Sequence, residues 1–219
     1  MKRIISLLLI AMFIIGLSKA QSSDPKTKIE ALEENLKKDP ENVEFLLELG
    51  ILYHHLAQEG NKDGIKRGEE IFKKLLEIDP ENAQAYCWYG SLLTLKGKYA
   101  TLPFNKIRFV NSGTKKMDKA VELAPDNITV RMIRANNSLS LPDFFHRLEL
   151  AITDFEYLLL LKEKNPDLFS KDILVQIYFA LGKAWQRKED IARAKKYWQK
   201  VIGIDPDSKQ GIEAKRLLK

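Results

Sequence analysis

The chain has 219 residues, with 36 Lys and Arg against 30 Asp and Glu, a formal net charge of +6 and a single cysteine, Cys87. One cysteine excludes an intramolecular disulfide, so packing alone must hold the fold, and a lone thiol on a predicted helix interface reads as core. Part of the positive charge sits in the first twenty residues: without Lys2, Arg3 and Lys19 the balance is 33 to 30, too even to argue for a nucleic-acid partner.

Those first residues read as a secretory signal peptide over 1–20. Lys2-Arg3 form a positive start, Ile4 to Leu17 is almost wholly apolar, and Ser18-Lys19-Ala20 places small residues around a cleavage point before Gln21. The apolar run is short for a spanning helix, although an uncleaved anchor is the alternative. No cysteine follows it, so a lipoprotein anchor is not supported. The mature chain, 21–219, is then a single domain exported to the periplasm or secreted, with no membrane segment after cleavage.

Asp24-Pro25 is a helix start, and Ile29, Leu32 and Leu36 form one stripe before Lys37-Lys38-Asp39-Pro40 ends it, a solitary capping helix. A phrase then recurs: Asp39-Pro40-Glu41-Asn42, Asp79-Pro80-Glu81-Asn82, Ala124-Pro125-Asp126-Asn127, Asn165-Pro166-Asp167 and Asp205-Pro206-Asp207. Proline pushes its predecessor out of helical geometry, and the Asp, Glu or Asn that follows can cap the next helix. Five such phrases mark an internal repeat, at about 41–80, 81–125, 126–166 and 167–206, with a terminal helix over 207–219.

The first interval carries Leu46, Leu49-Gly50 and Tyr53, then Gly68, Phe72 and Leu75, with Gly60-Asn61 and Gly64 read as a loop. The second carries Tyr86, Tyr89-Gly90, Leu93, Gly97 and Tyr99. After Pro103 a stripe of Ile107, Val110, Met117 and Val121 predicts a second helix of about 20 residues. The third has Arg134-Ala135 in place of Leu-Gly, and Pro142 is expected to start another long helix through Phe145, Leu148, Ile152, Phe155, Leu158 and Leu159. Side by side, the two long helices would project as a flange. At the end, Ile212, Ala214 and Leu217-Leu218 are expected inward and Lys209, Lys215, Arg216 and Lys219 outward.

The fourth interval is the most regular: Tyr178, Leu181-Gly182, Trp185, Ala194, Trp198, Val201 and Asp205-Pro206. It resembles the tetratricopeptide repeat (TPR), in which small residues stand where two helices cross and aromatic residues fill the space beside them. The resemblance implies an all-α right-handed superhelix of about four helical hairpins between capping helices. It also implies a concave groove lined by the first helix of each repeat. The positions are Glu44, Leu47, Ile51, His54 and His55; Gln84, Cys87, Ser91, Thr94 and Leu95; Thr129, Met132, Asn136, Leu139 and Ser140; and Gln176, Phe179, Lys183, Gln186 and Arg187. Leu47 and Ile51 stand where relatives that clamp chaperone tails need Lys and Asn, so that function is not expected.

A mixed groove suits an extended peptide or partner helix. His54 and His55 point about 100° apart on a helix and cannot share one ion; His55 with Glu59 lacks a third ligand, and His146 is distant in sequence, so no metal or cofactor is expected. No nucleophile elbow, phosphate loop, zinc-protease helix or dinucleotide fingerprint is present, and no catalytic residue is expected. Arg131, Arg134 and Arg147 lie near Asn136 and Asn137; Arg134 either holds an anion or belongs to a buried ion pair. The sequons at Asn127 and Asn136 matter only in a eukaryotic secretory pathway. The expectation is a non-enzymatic exported scaffold for a protein or peptide partner of an envelope assembly. The alternative is a ligand-handling accessory similar to the TPR components of tripartite ATP-independent transporters.

Overall fold

The computed structural model describes residues 24–219. The expected leader, residues 1–20, and its cleavage point lie outside the described residues. Those described form ten α-helices: α1 (Pro25–Lys38), α2 (Val43–Gln58), α3 (Lys62–Ile78), α4 (Ala83–Tyr99), α5 (Pro103–Leu123), α6 (Ile128–Ser140), α7 (Leu148–Lys164), α8 (Lys171–Arg187), α9 (Ile191–Ile204) and α10 (Lys209–Leu217).

The recurring phrase works as its chemistry suggests. Asn42, Asn82 and Asn127 accept hydrogen bonds from the backbone N–H of Phe45, Ala85 and Val130 at 3.0, 2.9 and 3.1 Å, and Ser170 caps α8 in the same way. In the first two phrases Asn42 and Asn82 also donate to Asp39 and Asp79, at 3.0 Å each. The helices pair as hairpins, α2 with α3, α4 with α5, α6 with α7 and α8 with α9; the first helices α2, α4, α6 and α8 also lie side by side. α1 covers the outer side of α2, and α10 closes against α8 and α9.

Small residues set how closely each hairpin closes. A Cβ on Gly182 would stand 2.2 Å from Trp198 Nε1, and one on Gly50 would stand 2.6 Å from Phe72 Cε1, so an aromatic ring of the second helix fills the space beside each glycine. In the second hairpin two glycines face each other: a Cβ on Gly113 would lie 2.4 Å from Gly90 O, which brings the backbones of α4 and α5 into contact.

Four expectations are corrected. Pro142 does not begin a helix: Asp143–Phe145 form a single 3₁₀ turn, His146 is left-handed (φ 53°), and α7 starts at Leu148. Arg187 fixes this turn by donating to Leu139 O, Leu141 O and Asp143 Oδ1. α7 therefore has 17 residues, as α3 does, and only α5, with 21, is long, so there is no two-helix flange. Gly64 is not a loop marker; it sits in the first turn of α3, where a Cβ would meet Tyr53 O at 2.7 Å. Ile212 faces outward, and Gly211 and Ala214 make the inner face of α10.

Candidate functional site

Three cavities of about 590, 460 and 230 Å³ adjoin along the first helices. The first two share His54, Gln58, Ser91, Asn137 and Ser140, and the last two share Asn136, Ser140 and Gln176. The lining is neutral and amide-rich in the middle, with apolar patches at Leu95, Met132 and Phe179. Its cations stand at the ends, Lys98 and Lys106 at one and Lys183 at the other, and no Asp or Glu lines any of the three. A fourth cavity, of about 610 Å³ between α3, α4 and the start of α5, differs: there Glu69 is bound to Lys73 at 2.8 Å and Lys96 at 2.6 Å.

At the floor, α2, α4 and α6 each contribute one polar side chain. His54 Nε2 lies 2.9 Å from Ser91 Oγ, and Asn137 Nδ2 donates to the same oxygen at 3.3 Å. Burial holds His54 down to about 4, with the neighbouring His55 adding to the effect, so the imidazole is neutral at pH 7. His54 packs edge-on against Trp88, with ring centroids 5.0 Å apart. Neither His54 Nδ1 nor Trp88 Nε1 has a protein partner among the described residues. A Ser beside a neutral His has the outline of a nucleophile and its base, but no carboxylate or carbonyl orients Nδ1, and an imidazole held near 4 is a weak base. What the cluster can do is exchange neutral hydrogen bonds in a low-dielectric setting.

Of the residues expected to line the groove, His54, Ser91, Thr94, Leu95, Thr129, Met132, Asn136, Leu139, Ser140, Gln176, Phe179 and Lys183 do so. Leu47, Ile51, His55, Gln84, Gln186 and Arg187 lie outside the three cavities, and Arg187 is engaged with the 139–143 turn. Cys87 is wholly buried at the α4–α6 contact, where its thiol donates to Val130 O at 3.3 Å and burial pushes it up to about 12. Gln58, Trp88, Asn137 and Phe144 line the cavities without being expected groove positions; Asn137, named in the sequence only beside the arginines, occupies no groove position of the repeat register. No group of three His, Cys, Asp or Glu among the described residues is placed to hold a metal ion.

The arginine cluster is internal. Asp154, fully buried on α7, accepts from Arg134 Nε at 2.8 Å, from Arg134 Nη2 at 2.7 Å and from Arg131 Nη1 at 2.7 Å. Asp118 on α5 accepts from Arg147 at 2.6 and 2.9 Å and from Arg134 at 3.2 Å. Asp154 and Asp118 occupy all three nitrogens of the Arg134 guanidinium, so Arg134 belongs to an ion-pair network that ties α5, α6 and α7.

Residues 16–135 match the family model described as regulator of microtubule dynamics protein 1-3. The chain belongs to that family. Residues 175–208, the most regular repeat, separately match a tetratricopeptide-repeat model. In this member of the regulator of microtubule dynamics family the longer match takes in His54, Ser91 and all of α5, whereas Asn136, Gln176 and Lys183 lie beyond it. No curated protein matches the chain. Among solved structures it is similar to a thermophilic TPR protein of Thermus thermophilus (TM-score 0.69, 14% identity, 89% of this chain and 90% of the other). It is also similar to MamA of Desulfovibrio magneticus (0.57, 19%, 85% and 89%) and to a tetratricopeptide repeat protein of Parabacteroides merdae (0.57, 17%, 89% and 63%). These likenesses show the fold, a TPR-like helical solenoid.

Proposed function

We propose that this chain is an exported, non-enzymatic scaffold that holds an extended segment of a protein partner in the groove along α2, α4, α6 and α8. The observation that carries the reading is the run of three adjoining cavities, neutral and amide-lined at the centre and basic at both ends. Such a lining matches a peptide whose backbone amides meet Asn136, Asn137 and Gln176, whose apolar side chains meet Leu95 and Met132, and whose acidic residues lie towards its ends. The family's description concerns microtubule dynamics; for this chain, recognition of a protein is the part of that description the groove supports. The exported setting, periplasmic or secreted, rests on the leader-like sequence of residues 1–20.

A second reading, a ligand-handling accessory, draws on the largest groove cavity, whose volume of about 590 Å³ falls within the usual range for small-molecule sites. Photo-cross-linkers placed at Ser91, Asn136 and Gln176, and at Lys74 on the exposed side of α3, would separate the two in cells carrying the tagged full chain. The scaffold reading expects one protein captured from the three groove positions and not from Lys74. Equal capture from Lys74 would sink it, and a small molecule that co-purifies with the protein in place of any captured partner would replace it with the second reading.

A further inference from the structure

From Asn82 to Met117 the chain has no Asp or Glu, while Lys96, Lys98, Lys106, Arg108, Lys115 and Lys116 fall within that stretch. Lys96 is bound to Glu69, and Lys116 lies over the Tyr89 ring, 4.5 Å from its centroid. Lys98, Lys106, Arg108 and Lys115 have no carboxylate partner among the described residues. The same end of the molecule carries large apolar side chains that stand free: Leu102 is 61% exposed, Phe104 73%, Ile107 45% and Phe144, on the neighbouring 3₁₀ turn, 61%. Ile107 and Phe144 both line the largest groove cavity, with Lys98 and Lys106, while Phe104, Ile107, Arg108 and Lys115 line one shallow recess along α5.

We infer that the α4–α5 turn and the first four turns of α5 dock the protein on an anionic lipid surface, with Leu102, Phe104, Ile107 and Phe144 entering the interface and Lys98, Lys106, Arg108 and Lys115 contacting the headgroups. Two features select a bilayer over an acidic protein. The apolar groups project, as an interfacial helix's do, whereas a protein partner anchors in recessed pockets. Unpaired long-chain cations on the same edge can reach upward while their stems lie along the apolar surface. None of the ten described helices is long and apolar enough to cross a membrane, so the contact made by this edge is peripheral. This edge shares Lys98, Lys106, Ile107 and Phe144 with one end of the groove, and docking there leaves open the cavities lined by Met132, Asn136, Gln176 and Phe179.

The test uses the full chain, so that any contribution of residues 1–20 is common to every variant. Cys87 is fully buried, so an environment-sensitive probe can be placed selectively at Thr101→Cys, beside Leu102, or at Lys195→Cys on the exposed side of α9 as a control. Each is mixed with vesicles of phosphatidylcholine alone or of phosphatidylcholine with phosphatidylglycerol. The expected result is a blue shift and quenching by nitroxide lipid at Thr101→Cys, with anionic vesicles only, weakened by salt. Lys106→Glu with Arg108→Glu should weaken binding by on the order of 25-fold or more, since each cation near such a surface is worth about fivefold. Leu102→Ser with Phe104→Ser should abolish the blue shift. Absence of binding, equal binding to neutral vesicles, or burial of the Lys195→Cys probe instead would overturn the proposal. So would binding to poly-glutamate without binding to vesicles, which would assign this edge to an acidic protein.

Discussion

At Gly182 a single methyl group decides whether a hairpin can close. Its Cβ position lies 2.2 to 2.9 Å from atoms of the Trp198 ring, which is 1% exposed and has nowhere to go. Gly182→Ala is expected to destabilise by about 2 kcal/mol or more through overpacking. Gly203→Ala, with nothing within 4 Å of its Cβ, should stabilise by roughly 0.5 kcal/mol through helix propensity. Denaturant unfolding of the pair checks both signs, and similar effects at the two sites would contradict the packing account. His54 makes a prediction about pH. Its proton is bound near 6.5 in the unfolded chain and near 4 when buried, so between these values the unfolded chain takes up the extra proton. The stability is fully present above about 6.5 and is lost as pH falls towards 4, by about 3 kcal/mol over the window. His54→Gln should flatten that part of the profile in urea titrations, while carboxylates held below their usual range, such as Asp205, contribute equally to both proteins. Parallel profiles would rule the assignment out.

Among elements, the join of α5, α6 and α7 depends on ions where the first and fourth hairpins depend on an aromatic ring beside a glycine. Asp154 is fully buried and is the shared acceptor of Arg131 and Arg134. Asp154→Ala leaves two guanidinium groups buried without it and is expected to cost about 3–5 kcal/mol. Replacing the three together, Arg131→Met, Arg134→Leu and Asp154→Leu, should recover most of that loss, because a buried ion pair and apolar residues of similar size are close in stability. Urea midpoints of the single and triple variants measure this; a triple variant as weak as the single would mean the charges do more than fill space. The correction at Pro142 belongs to the same scale. Arg147 is held by Asp118, and Arg187 occupies the carbonyls of Leu139 and Leu141, which stabilises a turn where the apolar spacing alone suggested helix.

Among the described residues the apolar core falls into separate clusters. One cluster joins α6 to α10 and another joins α2 to α5, and between them Cys87, Met117, Ala120, Val121 and Val130 form a small bridge beside the polar His54–Ser91–Asn137 and Arg134–Asp154 groups. Repeat arrays unfold by neighbours, so the chain is expected to open at the α4–α6 join below the free energy of global unfolding. Cys87 reports on that opening: its alkylation under native conditions should depend on urea more weakly than global unfolding does. If the two dependences coincide, the halves form one cooperative unit.

The sequence alone determined the helical period, the hairpin count and the caps, because these rest on local chemistry: Asn42, Asn82 and Asn127 cap from one residue to the next few, and Gly182 and Trp198 announce a close crossing by their spacing. Position within a repeat also puts His54, Ser91, Met132, Asn136 and Lys183 on the first helices, where they line the three cavities. Tertiary structure alone decided the rest. Asp118 and Asp154 are ordinary helix carboxylates until α5 and α7 bring them to Arg134, 16 and 20 residues away, and Ser91 meets His54 and Asn137 from helices 37 and 46 residues apart. Whether Phe104 is covered or projects depends on which helices pack over α5, and that is a property of distant contacts, which no local pattern records.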